Sequence, residues 1–256
     1  MNPVRTLRHG ATLVWRNLVK IKHSPTQILD LTVQPIMFVL IFVFLFGGAI
    51  GAGDRHSYLQ YVMPGVMAQT AAFGTMSTAV GLNQDITKGI FDRFRSLPIA
   101  RSAPLIGTVV GDTVRFIVSL VVLLAIGLAI GFRIQTSVVA TVAAMGLVLL
   151  FALALCWVLA LLGLLAKTPQ AVQAFGGALM FPLTFGSNVF VATDTLPGWL
   201  QAWVKVNPVS QLSSTVRGLL LGGPVATHLL WTLVWAVGIT LVFAPLAVRA
   251  YRRRTG

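Results

Sequence analysis

The sequence predicts an all-α integral membrane protein with six transmembrane helices, and three observations carry that expectation. Of its 256 residues 56% are hydrophobic, and mean hydropathy is +0.86. Only 10% are charged, against about 25% in soluble domains, too few to coat so much apolar surface with a water-facing shell. Charge-free stretches recur at membrane length, over 31–53, 56–84, 116–132, 134–166, 168–193 and 218–248. About 20 apolar residues suffice to cross the hydrocarbon layer.

These runs place spans near 31–50, 58–83, 104–131, 138–165, 170–191 and 225–248, in one domain over 1–256. The third run is short alone. It extends back through Pro104 if Asp112 and Arg115, able to pair three residues apart, are tolerated near its start. Continuous runs lack the alternation of β-barrel strands. The basic leader is followed by 23 uncharged residues, too long for a signal-peptide core of about 7–15, so an uncleaved anchor is expected.

Net charge is +13, with no glutamate. Its distribution separates nucleic acid from membrane as the reason. With the N-terminus inside, the inner segments hold Arg5, Arg8, Arg16, Lys20, Lys22, Lys88, Arg93, Arg95, Arg101, Lys167, Arg249, Arg252, Arg253 and Arg254. The outer ones hold only Arg55, Arg133, Lys205 and Arg217. That asymmetry is the positive-inside signature. It sets both termini in the cytoplasm and needs no nucleic acid. Cys156, in an apolar run, rules out a disulfide framework.

Three segments between the spans are patterned. Over 1–25, Leu7, Ala11, Val14, Leu18 and Ile21 share one helical face and basic residues the other, a helix suited to the inner headgroup layer or to a cytosolic partner. Pro25 then breaks it. In the inner loop 84–103, Ile86, Ile90, Phe94 and Leu97 form an apolar ridge, with Asp85, Lys88, Asp92 and Arg95 polar and Pro98 ending the helix. Such a ridge fits a groove on another protein, or packs back on its own bundle. The outer segment 192–224 is too apolar for a free loop, yet neither half can cross. Trp199 and Trp203 suit the headgroup zone, Asn207–Pro208 is a helix start and Gly222 a stop. Two short helices forming a re-entrant hairpin are expected, packed on the bundle because backbone at that depth needs cover.

Within the spans, Gly107 with Gly111, Gly127 with Gly131, and the stripe Thr70, Gly74, Ser77 and Gly81 allow close helix contact. Gln173, Gly177, Thr184 and Asn188, with Ser187 beside them, form a polar face on the fifth span. It knits helices together or lines a pathway, flanked by Phe181 and Phe185. The mid-span regions hold no ionisable group of the kind that ion-coupled transport uses. No HExxH motif occurs, and Gly163 to Thr168 (GLLAKT) lacks the P-loop spacing. Energy for driven transport would have to come from another chain.

The basic leader, the loop from Lys88 to Asp112 (KGIFDRFRSLPIARSAPLIGTVVGD) and the run from Phe185 to Leu220 together resemble the membrane subunit of type-2 ABC exporters of the daunorubicin-resistance kind. The last run is the most specific: an aromatic-x-Ser-Asn-x-Phe sequence, then Pro197-Gly-Trp199-Leu, Asn207-Pro208 and Arg217 on the outer hairpin. The resemblance implies a subunit of the bacterial plasma membrane that dimerises with an identical or related half. It implies a cytosolic ATPase on each half, holding the ATP and Mg that this chain does not bind. The loop around Phe91, Arg93 and Phe94 would couple to that ATPase. Asp92 stands where the family often has glutamate. The implied cargo is an amphipathic drug or lipid-like molecule passing near the first, second and fifth spans. Polysaccharide or glycolipid export, and a structural or regulatory membrane subunit, are the alternatives.

Overall fold

The computed structural model describes residues 25–50, 54–88 and 103–255. The amphipathic helix expected over 1–25 lies outside the described residues, apart from Pro25, which opens the first helix. So do Ile90, Phe91, Asp92, Arg93, Phe94, Arg95, Leu97 and Pro98 of the coupling loop. Among the described residues all regular structure is helical, without a strand.

α1 (Pro25–Leu40) runs through a wide π-helical turn (Ile41–Phe46) into the short α2 (Gly47–Ile50). α3 (Arg55–Thr87) follows, then α4 (Ala103–Ile130), α5 (Val138–Leu165) and α6 (Pro169–Phe185). Beyond α6 come a 3-10 turn (Thr193–Thr195), α7 (Gly198–Val206), α8 (Pro208–Leu221) and α9 (Ala226–Thr255). The helices start where side chains can satisfy the orphan N–H groups of a first turn. Asp54 accepts from the His56 N–H at 2.9 Å, Ser137 from Ala140 and Thr168 from Ala171, each at 3.2 Å.

Among the described residues, three helices are long and apolar enough to cross a membrane: Gly107–Ile130, Val138–Leu165 and Ala226–Tyr251. Of the apolar window in α9 only 11% is buried. Leu230, Trp231, Val234, Val237, Leu241 and Val242 face outward along it, an apolar surface that a water-soluble protein could not carry. α3 differs. Its 33 residues reach about 50 Å at 1.5 Å per residue, and it packs on α1, α4, α5, α6 and α8 at once. Most of its length is buried in protein, which is why it can hold Gln60, Gln69, Asn83 and several threonines where a lipid-facing helix could not. Met63, Met67, Phe116, Leu120, Phe151, Leu159 and Met180 fill the core around it.

Four expectations need correction. The second span was expected to end at residue 83, with 84 opening a loop, but the helix continues to Thr87 and Lys88 caps it. The helix expected as the sixth span continues past 248 to Thr255, through the basic end. The fifth was expected to run to 191, but α6 ends at Phe185. There the Ser187 hydroxyl donates to the Thr184 carbonyl, and Asn207 Nδ2 donates to the Leu183 and Gly186 carbonyls at 2.8 and 3.2 Å. Side chains thus take over the carbonyls a continuing helix would have used. Finally, of the pair expected to allow close helix contact, Gly127 does so against Met63, but Gly131 at φ +118° stands past the end of α4, a backbone angle that favours glycine.

Residues 192–224 do hold two short helices. Asn207 Oδ1 accepts from the Val209 and Ser210 N–H groups at 2.8 and 3.4 Å, and Gly222 at φ +86° ends α8. α8 buries Val209, Leu212, Val216 and Leu220 against α3, α5 and α9. Trp199 and Trp203 of α7 remain exposed.

Candidate functional site

A cleft of about 660 Å³ opens between α1, α3 and α6, with Arg115 of α4 in its wall. That volume lies in the range of small-molecule sites, which pair an apolar lining with a few placed polar groups. One side of α3 forms the floor: Thr70, Gly74, Ser77 and Gly81 all line it. The stripe that sequence reasoning assigned to close helix contact therefore bounds open space. An added Cβ at Gly81 would meet nothing within 4 Å. The close approaches lie elsewhere. A Cβ at Gly65 would stand 2.7 Å from the Val189 carbonyl oxygen, and one at Gly163 2.6 Å from that of Ala79.

Polar groups are distributed unevenly around the cleft. The Thr70 hydroxyl donates to the Val66 carbonyl at 2.7 Å and Ser77 to Gly74 at 2.8 Å, both within α3. Arg115 pairs with Asp112 at 3.4 Å, as its spacing predicted. Its Nη2 also donates to the Gly74 carbonyl and the Thr78 hydroxyl, each at 3.3 Å. Thr78 in turn donates to the Asp112 carboxylate, so the ion pair is stitched to α3. Gln69, in the middle of α3 and 2% exposed, also lines the cleft. Sequence reasoning missed it. The signal was there: a lone amide in the run from Tyr61 to Ser77, where a polar side chain needs a reason.

At one end the cleft is closed by aromatic rings. Phe38, Phe73 and Phe181 line it. Phe73 meets Phe181 edge-on at 5.6 Å, and Phe181 stacks on Phe185 at 5.4 Å. Phe185 stacks on Phe190 at 5.4 Å, and Phe190 on Phe42 at 4.0 Å. Phe42 belongs to the π-helical turn, so α1 departs from regular geometry where it meets this cluster.

The chain just past α6 is pinned behind the rings. The Tyr58 and Tyr61 hydroxyls donate to the carbonyls of Phe190 and Asn188 at 3.0 and 2.8 Å. Arg217 lies over the Tyr61 ring, 3.8 Å from its centroid, and donates to the Asn188 carbonyl at 3.1 Å and the Ser213 hydroxyl at 3.3 Å. Asn188 Nδ2 donates to Ser214 at 2.8 Å.

The predicted polar face of the fifth span is therefore divided. Gln173 and Phe181 line the cleft, and Phe185 sits in the aromatic closure. Thr184, Ser187 and Asn188 are buried, with hydrogen bonds to backbone or to α8. Of the outer-hairpin residues, Asn207 and Arg217 brace this region, Pro208 opens α8, and Pro197 and Trp199 stand at the start of α7, where Trp199 is exposed. Among the coupling residues only Lys88 is described, at the end of α3.

Residues 9–221 match the family model of the ABC-2 type transporter. The chain is 39% identical to the daunorubicin resistance ABC transporter permease protein DrrB1 of Streptomyces coeruleorubidus, over 98% of this chain and 89% of that one. It is 28% identical to the probable doxorubicin resistance ABC transporter permease protein DrrC of Mycobacterium tuberculosis, over 86% and 80%. A putative transport permease of Cyanophora paradoxa, ycf38, shares 25% identity over 81% and 72%.

Proposed function

Because the chain belongs to the ABC-2 type transporter family as a permease, we propose that it is the membrane half of an ATP-driven exporter for amphipathic drugs or lipid-like molecules. Six spans set both termini in the cytoplasm, and 192–224 dips into the outer leaflet. A separate cytosolic ATPase binds ATP and Mg and docks on the ridge of Phe94 and Leu97. A second permease half completes the pathway.

The single observation that carries this reading is the cleft. It draws on residues 34–38 of α1, 69–84 of α3 and 173–181 of α6. With the inside assigned from charge, the α3 stretch runs toward the cytoplasmic side, and the cleft extends from there to mid-membrane beside α1 and α6. The aromatic closure then lies toward the outside. This is the arrangement of a state that loads from the cytoplasm or inner leaflet, and closure of the ATPases would rock the halves to open the other end. The relatives' printed names, which speak of daunorubicin and doxorubicin resistance, support a drug as cargo.

Inside-out vesicles containing the permease and its ATPase should accumulate daunorubicin only with ATP. Phe94→Ala should abolish uptake or release the ATPase, with the permease still folded, since truncating a buried aromatic anchor costs about 2 kcal/mol or more. ATP-independent uptake, or full uptake with no ATPase present, would refute the reading.

A further inference from the structure

The hydroxyls on the cleft floor are already engaged by their own helix, but Gln69 is not. Neither its amide nitrogen nor its oxygen has a hydrogen-bond partner among the described residues, although it is 2% exposed. Arg115 Nε, in the wall of the same cleft, is likewise buried without a partner. Native proteins rarely leave buried polar atoms unpaired, and such exceptions point to a ligand or a functional role. The pair is donor-rich. Arg115 can only donate, an amide carries two N–H groups, and no carboxylate lines the cleft among the described residues. An ammonium group would find no free carboxylate there, since Asp112 is already held by Arg115 and Thr78. An oxygen acceptor would complete the unpaired N–H of Gln69 or of Arg115, and a hydroxyl beside it the Gln69 oxygen. Phe38, Phe73 and Phe181 supply the flat apolar faces for the rest of the molecule.

We propose that Gln69, with Arg115, is the polar recognition point of this cleft and takes a carbonyl or anionic oxygen of a ring-bearing amphipathic substrate. This rests on the transport reading above and adds to it the chemistry of the head group.

The test is competition against ATP-dependent daunorubicin uptake in the vesicles described above. Three competitors share one ring system: 9-anthracenecarboxylate, 9-acetylanthracene and 9-anthracenylmethyl-trimethylammonium. The two oxygen-bearing probes should compete better than the ammonium, and which of them is stronger separates an anionic from a neutral acceptor. Gln69→Leu should weaken both about tenfold, the loss of one hydrogen bond. It should leave the melting temperature in detergent unchanged or higher, because it removes an unsatisfied amide from the core. Gln69→Glu should shift preference toward the ammonium. Equal inhibition of wild type and Gln69→Leu, or a lower melting temperature with unchanged inhibition, would make Gln69 a structural amide and overturn the proposal alone. No ATP-dependent daunorubicin uptake by the wild type would remove the transport reading, and this one with it.

Discussion

Two stretches of α3 use the same residue types for opposite ends. From Val62 to Ala68 a glycine is pressed against backbone: Gly65 lets α3 reach Val189, and the tyrosines one turn before hold the same segment by its carbonyls. From Thr70 to Gly81 one face of small residues, Thr70, Gly74, Ser77 and Gly81, lines the cleft instead, while Ala79 on another face still packs against Gly163. Small residues in a membrane helix therefore announce that something comes close or that something is left open. Which of the two holds depends on whether another helix is there to fill the space.

The largest effect should come from Gly65→Ala. Its Cβ would stand within 3 Å of two backbone atoms of Val189, and backbone shifts of this kind cost about 1–3 kcal/mol. Gly81→Ala on the cleft side, with nothing within 4 Å, should instead gain about 0.5–1 kcal/mol from helix propensity. Melting of the two purified variants compares them directly. Equal loss at both sites would break the contrast between packed and open halves.

A smaller effect is expected at Asn188. Its amide donates to Ser214 behind the aromatic closure, so Asn188→Leu should cost about 1 kcal/mol of stability while leaving the order of transported drugs unchanged. A changed order at unchanged stability would place the pathway through the pinned segment.

The smallest effect concerns Asp54, at the exposed start of α3. The Ser57 hydroxyl, and behind it the Ser57 and His56 backbone N–H groups, hold its carboxyl below the usual carboxylate range. Since the folded value is depressed, the contribution is present above the ordinary carboxylate pKa of about 4 and is lost as pH falls through the folded value. Amide exchange in the first turn of α3, corrected for its intrinsic pH dependence, should show less protection at pH about 3 than at pH 6, and Asp54→Asn should flatten that difference. Equal flatness in the wild type would show that the cap does not titrate.

Much of this was legible in the sequence because it depends on local physics. The run 138–165 predicted α5 to the residue, since it is uncharged and almost wholly apolar, with Thr141 its one hydroxyl. Asn207–Pro208 and Gly222 marked the ends of α8, because caps and positive φ angles are properties of single residues. The Asp112–Arg115 pair followed from helical spacing. The end of α6 did not follow, because the charge-free run continues past it to residue 193. The break is made by Asn207 and Ser187 reaching its last carbonyls, contacts that hydropathy does not encode.

The sequence by itself determined the membrane class, the bounds of α5 and the capped ends of α8, since burial in lipid and backbone capping are set by composition and short-range pattern. Only the tertiary structure decided which polar residues meet the cleft. Gln69 and Gln173 line it while Thr184 and Asn188 do not, and that choice depends on how α1, α3 and α6 are rotated against one another. Helical spacing alone cannot set that rotation, because a helix packed on every side has no polar face to orient it.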